Sequence, residues 1–173
     1  MGKLILISGG NDSGKSSYGE SLIGQIESER YYIATMIPNT EDNYTRIEKH
    51  RLQRKKYEFY TLELPYQVGE APVTLESVVL LEDVSNLLAN NIFDKGRDAE
   101  NVWADICKLL QRCKILVAVT ISGLEGNGFN SETQAYINSL NKLNKLLFDA
   151  ASVAVTMQNK IPVFEKGMLY DIF

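Results

Sequence analysis

Histidine is almost missing from this chain: its 173 residues contain one, His50. That scarcity excludes any metal site built on several imidazoles, including the usual catalytic zinc. It also leaves a single imidazole for nucleophilic or acid–base work. Cysteine is scarce too, and Cys107 and Cys113 fit neither a CxxC redox pair nor a metal-binding spacing. They read as reduced structural thiols. No apolar run approaches the ~18 residues of a membrane span. The opening run Leu4–Ile7 is too short for a signal-peptide core and lacks a cleavage pattern after it. Leu6 stands where N-myristoylation prefers Ser or Thr. An excess of positive charge is absent as well: 18 Lys+Arg against 22 Asp+Glu give a net charge of −4. That balance argues against long nucleic acid as a partner, while a local basic cluster could still hold a small anion. These absences predict a cytoplasmic protein with no membrane span.

What remains has the composition of a folded protein. Hydrophobic residues make up 45% and charged residues 23%, which sets aside disordered, collagen-like and disulfide-scaffold chains. The length suits one domain over residues 1–173. Short β-rich apolar runs alternate with longer amphipathic segments, the pattern of an α/β fold with a mainly parallel sheet. Core strands are predicted at Lys3–Ser8, Tyr31–Thr35, Ser77–Leu81, Ile115–Thr120 and Ser152–Met157, with a short strand at Glu58–Leu62 and an edge at Ile161–Phe164. Helices are predicted from Gly14 to Glu27, Glu41 to Lys56, Val84 to Phe93, Ala99 to Arg112 and Glu132 to Ala150. Loops take Pro65–Pro72 and the glycine-containing stretch Ser122–Ser131.

The most specific feature follows the first strand: Gly9-Gly10-Asn11-Asp12-Ser13-Gly14-Lys15-Ser16. It fits G-x-x-x-x-G-K-[ST] without mismatch and lies between a predicted strand and a helix, the required context. Glycines let successive N–H groups turn inward, and the helix N-terminus adds partial positive charge. Lys15 would reach the β- and γ-phosphates and Ser16 would ligate Mg²⁺. The expected fold is a P-loop NTPase-like three-layer sandwich. An acidic partner for the metal is available in Glu82 or Asp83 at the end of the Ser77–Leu81 strand, although Asp83 could instead cap the next helix. A regulatory GTPase is disfavoured. Asn159-Lys160 follows a strand but Ile161-Pro162 comes next, so N-K-x-D is incomplete, and no D-x-x-G switch is present.

Basic residues concentrate between Arg46 and Lys56. On a helix Arg46, His50 and Arg54 are spaced i, i+4, i+8 and share a face. Such a segment is either a solvated charged face or an anion-handling helix with a reactive imidazole. Neighbouring cations would lower the His50 pKa and keep the ring neutral, as a nucleophile requires. Composition alone leaves both readings open.

Several motifs in order sharpen the choice: Gly9–Ser16, Tyr32–Thr35, Arg46-Ile47 with His50-Arg51, Thr61-Leu62-Glu63, Leu80–Glu82 and Asn91–Phe93. Together they resemble the cobinamide kinase/cobinamide-phosphate guanylyltransferase family of cobalamin biosynthesis. The resemblance implies two reactions: phosphorylation of cobinamide by GTP or ATP, and transfer of GMP from GTP through a guanylyl-histidine to cobinamide phosphate. It implies His50 as nucleophile and Lys15 as catalytic cation. Nucleotide contacts map onto Gly9, Gly10, Asn11, Asp12, Ser13, Gly14, Lys15 and Ser16, and onto Ala34, Thr35, Arg51, Arg54, Glu63 and Glu82, with Glu63 or Glu82 accepting from guanine N–H groups. Mg²⁺ would be served by Ser16 with Glu82 or Asp83. The resemblance also implies a homotrimer with the basic helix near a subunit contact. Two departures stand out: the R-P and Trp that usually follow the family's histidine are absent, and Ser122–Asn130 keeps glycines without the family's Val-Pro. Two other readings stay open here, a P-loop kinase for another small acceptor with a structural His50, and a nucleotide-binding protein without transferase activity.

Overall fold

The apolar runs become the interior of one seven-stranded sheet with the order β3-β2-β4-β5-β1-β6-β7. The computed structural model describes residues 1–125 and 128–173. Gly126 and Asn127, part of the predicted Ser122–Ser131 loop, lie outside the described residues. Strands β1 (Lys3–Gly9), β2 (Arg30–Ala34), β3 (Tyr60–Glu63), β4 (Val78–Glu82), β5 (Ile115–Val119) and β6 (Val153–Gln158) run parallel, and β7 (Ile161–Lys166) pairs antiparallel with β6.

Strand residues alternate between two apolar layers. Leu4, Leu6, Ile33, Val79, Leu81 and Leu116 face one cluster with helices α3 (Val84–Lys95), α4 (Ala99–Arg112) and α5 (Ser131–Ala150). Ile5, Ile7, Tyr32, Leu80 and Val117 face the other, which holds Leu22 and Ile23 of α1 (Lys15–Gly24). Burial on both faces is why the central strands read as unbroken apolar runs. This is the expected three-layer α/β arrangement.

The differences in element bounds have local causes. Gly14 adopts a left-handed conformation (φ 91°), so α1 starts at Lys15, and it stops at Gly24. There a Cβ would stand 2.3 Å from the Tyr57 ring, so glycine lets that ring lie against the helix end. Helix α2 (Glu41–Arg54) is capped by Thr40, whose side chain accepts from Asn43 N–H, and gives way to a 3-10 turn at Lys55–Tyr57. The predicted loop around Pro65–Pro72 contains a short 3-10 turn, Val68–Glu70. Asn159 and Lys160 form the β6–β7 hairpin turn with φ of 49° and 65°. The incomplete N-K-x-D therefore belongs to a hairpin.

Candidate active site

Parallel register brings the predicted site residues to one edge of the sheet. Gly9 ends β1, and Ala34 is level with both Glu63 and Glu82 on the flanking strands. Ligands of open α/β sheets bind at this carboxyl edge.

The phosphate loop is held by its own backbone demands. Gly9 has φ 149°, and a Cβ there would lie 2.6 Å from Ser13 Oγ and 2.9 Å from the Met157 carbonyl oxygen. Ser13 Oγ donates to the Gly10 carbonyl at 2.8 Å, and Lys15 Nζ donates to the same oxygen at 2.5 Å. Burial lowers the Lys15 pKa, and Glu82, Asp83 and Asp12 oppose that shift. Ser16 Oγ donates to Glu82 Oε1 at 2.5 Å, while Glu82 Oε2 is buried without a partner among the described residues. Burial, reinforced by Asp83, pushes Glu82 up to about 8.

The two acidic residues divide their roles. Asp83 Oδ1 accepts from Asn86 N–H and from Ser85 Oγ, each at 2.7 Å, and Oδ2 accepts from Asn86 Nδ2 at 3.3 Å. Asp83 is the N-cap of α3. Of the two roles open for it, capping is the one observed, and metal ligation would compete with these hydrogen bonds. Thr35, an expected nucleotide contact, is fully buried behind the site. Its hydroxyl accepts from Asp83 N–H at 2.8 Å and lies 2.9 Å from the Asp83 carbonyl oxygen. Its N–H donates to the Glu82 carbonyl at 3.1 Å. Thr35 therefore fixes the turn that carries Glu82.

The basic helix supplies the opposite wall. His50, Arg46 and Arg54 line one cleft with Ala34, Glu82 and Asp83, so the shared helical face is turned onto the sheet edge. Burial lowers the His50 pKa, followed by the charges of Arg54, Arg46 and Lys49, with Asp83 opposing. The ring is thereby kept neutral at neutral pH. Its Nδ1 is buried, with no hydrogen-bond partner among the described residues. Arg54 is 6% exposed and its guanidinium stacks 3.8 Å from the Tyr32 ring centroid. Arg51 stays on the exposed side, bridging Glu48 at 3.0 Å and Glu63 at 3.4 Å. Glu63 thus sits at the exposed rim, whereas Glu82 is directed to Ser16.

A sequence model described as "CobU: Cobinamide kinase / cobinamide phosphate guanyltransferase" matches residues 5–164. The chain belongs to that family. The "Bifunctional adenosylcobalamin biosynthesis protein CobU" of Escherichia coli (strain K12) is 38% identical over 100 residues, 56% of this chain and 54% of that protein. The match thus spans about half the length of the curated relative. A Pyrococcus horikoshii OT3 protein solved in a structural study shares the fold at a TM-score of 0.53 and 9% identity, covering 98% of this chain and 89% of that one. Among the described residues no helix is long and apolar enough to cross a membrane, and no three His, Cys, Asp or Glu gather for a metal.

Motif reading missed Glu20 and Gln53, which lie between the two halves of the site. Gln53 of α2 hydrogen-bonds Ser17 of α1. Glu20 is fully buried beside Gln53, and burial pushes it up to about 7 against the pull of Arg54 and Gln53. Its only sequence signal is a carboxylate one turn beyond Ser16, within the apolar stripe of α1.

Proposed function

We propose that this family member phosphorylates cobinamide with GTP or ATP and then transfers GMP from GTP to cobinamide phosphate through His50. The observation that supports this reading best is that the only imidazole of the chain shares a cleft with the carboxylate bonded to the phosphate-loop serine. In the kinase step the loop N–H groups and Lys15 hold the phosphates while the acceptor hydroxyl oxygen bonds to the γ-phosphorus, the β–γ P–O bond breaks, the nucleoside diphosphate leaves and the hydroxyl proton passes to solvent. In the second reaction a neutral His50 nitrogen attacks the α-phosphorus of GTP. A P–N bond forms, the α–β P–O bond breaks, and pyrophosphate departs with its charge countered by Lys15. A phosphate oxygen of the acceptor then displaces the imidazole, giving GDP-cobinamide and returning His50 to its neutral form.

The residues fit Mg²⁺. Ser16 Oγ and the buried Glu82 Oε2, without a partner among the described residues, would hold it, directly or through water, in the manner of an ion that relies on few carboxylates and on substrate phosphates. When bound it supplies charge neutralisation at the phosphate oxygens. Arg51 and Glu63 at the rim remain available to the nucleotide, and Arg54 acts by lining the cleft. The cytoplasm is the compartment proposed, and the homotrimer that the family resemblance implies is measurable by light scattering.

The test is a single-turnover incubation with α-labelled GTP. Acid-labile, base-stable label should remain on the wild-type protein and be absent from His50→Ala. Folded wild-type protein that takes no label removes the guanylyltransferase half. Cobinamide-dependent turnover of ATP or GTP, lost in Lys15→Ala, tests the kinase half separately.

A further inference from the structure

A second cleft opens beside the His50 cleft and shares Met36, Arg46 and Asn86 with it. It lies between the start of α2 and the outer turns of α3, away from the phosphate loop. The hydrogen bonds of three of its asparagines orient their amides alike. Asn90 spends its NH₂ on the carbonyl oxygens of Thr35 (2.8 Å) and Pro65 (3.0 Å). Asn86 donates to Asp83. Asn43 donates to Asn39 Oδ1 at 2.7 Å and to the Ile37 carbonyl at 3.3 Å. For these three the NH₂ end is engaged and Oδ1 receives no donor among the described residues, whereas Asn39 is the reverse, its Oδ1 accepting from Asn43 and its NH₂ left over. Asp94 likewise commits one oxygen, accepting from Tyr66 Oη at 3.0 Å, and keeps the other. Phe93, 51% exposed and tilted against Tyr136 with ring centroids 6.0 Å apart, adds an aromatic surface at the rim.

The lining therefore offers the amide oxygens of Asn43, Asn86 and Asn90 and the Asp94 carboxylate against the donors of Arg46 and Asn39, a surplus of acceptors that disfavours a phosphate. It suits a neutral ligand edge that presents several N–H donors around an apolar body. We propose that this cleft is a binding subsite for such an N–H-donor edge, adjoining the reacting centre. The assignment rests on the functional reading above, in which two molecules carry that chemistry. The corrinoid periphery bears primary carboxamides, and guanine bears N1–H and N2–H₂.

The experiment compares wild type with Asp94→Lys, which replaces an acceptor by a donor, with Asp94→Asn, which keeps one acceptor oxygen, and with Phe93→Ala. All these positions are exposed, and thermal melting confirms that each variant is folded. Cobinamide affinity is read by its absorbance change without nucleotide, and guanylylation is read with GTP and with ITP, which lacks the N2 amino group. If the corrinoid occupies the cleft, Asp94→Lys and Phe93→Ala weaken cobinamide binding at least about tenfold, Asp94→Asn retains most of it, and GTP labelling is unchanged. If guanine occupies it, cobinamide binding is unchanged, and the variants raise the GTP concentration needed for labelling and erase the GTP-over-ITP preference. Wild-type activity with every variant unaltered on both readouts overturns the subsite alone. A wild type that neither binds cobinamide nor takes label from GTP overturns the functional reading, and this assignment falls with it.

Discussion

The phosphate loop grows out of a strand buried on both faces, whereas His50 rides a helix with one buried residue, Arg54. On the loop side each group is fixed by short contacts with backbone or with neighbouring strands: Ser13 and Lys15 on Gly10, Ser16 on Glu82, Thr35 on the Glu82–Asp83 turn. On the helix side, Arg54 stacks on Tyr32 and Gln53 reaches Ser17, while Leu52 is 72% exposed and Arg51 lies on the surface. The difference teaches which part acts as template and which part is brought to it. Nucleotide phosphates need rigid N–H donors, and a nucleophile has only to meet the α-phosphorus.

The largest effect should come from Lys15→Ala, which strikes the rigid half. Loss of a preorganised cation at the phosphates is expected to lower both cobinamide phosphorylation and guanylyl labelling by about 10²–10³. His50→Ala, on the other half, should abolish labelling and spare phosphorylation. A Lys15→Ala protein that lost one activity and kept the other would show that the two reactions do not share a loop.

Glu20, buried between the halves, should reveal itself through the pH dependence of stability. Its folded pKa is raised from 4.5 to about 7, so the folded state binds more protons than the unfolded state between these values. Stability is then highest below about pH 4.5 as far as this group is concerned, and is lost as pH rises through about 7. Glu20→Gln should flatten that decline and raise stability at pH 8 by on the order of 2 kcal/mol. Denaturant melts at pH 5 and pH 8 that give equal differences between variant and wild type would refute it.

Thr35→Val removes the hydroxyl on which Asp83 N–H depends and leaves that donor unpaired at a buried site. The expected loss is about 1–2 kcal/mol of stability, with cobinamide turnover falling through a displaced Glu82. Unchanged melting together with weakened nucleotide binding would instead make Thr35 a direct ligand contact.

The same contrast explains what the sequence disclosed. Periodicity located the parallel strands because burial on both faces writes an unbroken apolar run, and the phosphate loop was legible because its glycines answer local backbone demands at Gly9 and Gly14. The i, i+4, i+8 face of Arg46, His50 and Arg54 was readable as geometry, but charge alone did not say whether it met solvent or sheet. Asp83 against Glu82 could not be ranked, since capping depends on where α3 begins. Thr35 acts through partners far away in sequence and Glu20 through burial between helices, and nothing local marks such contacts. The hairpin that absorbs Asn159-Lys160 was likewise settled only by antiparallel pairing with β6.

The smallest predicted effect probes the helix half without touching the cleft. His50 is held below the usual histidine value first by burial and then by Arg54, Arg46 and Lys49. Only the neutral ring attacks, so labelling should fail on acidification, and the midpoint of that acid limb should lie below 6.5, the ordinary histidine value. Lys49→Gln removes one exposed cation from the same helix while leaving burial and the two arginines in place. The limb should then move up, as removal of a cation that lowers the imidazole pKa requires, and less so at high salt. Phosphorylation of cobinamide, which in the proposed mechanism does not use the imidazole, should keep its pH profile. A shift of equal size in both reactions would assign the limb to the phosphate loop, and the two halves would then titrate as one.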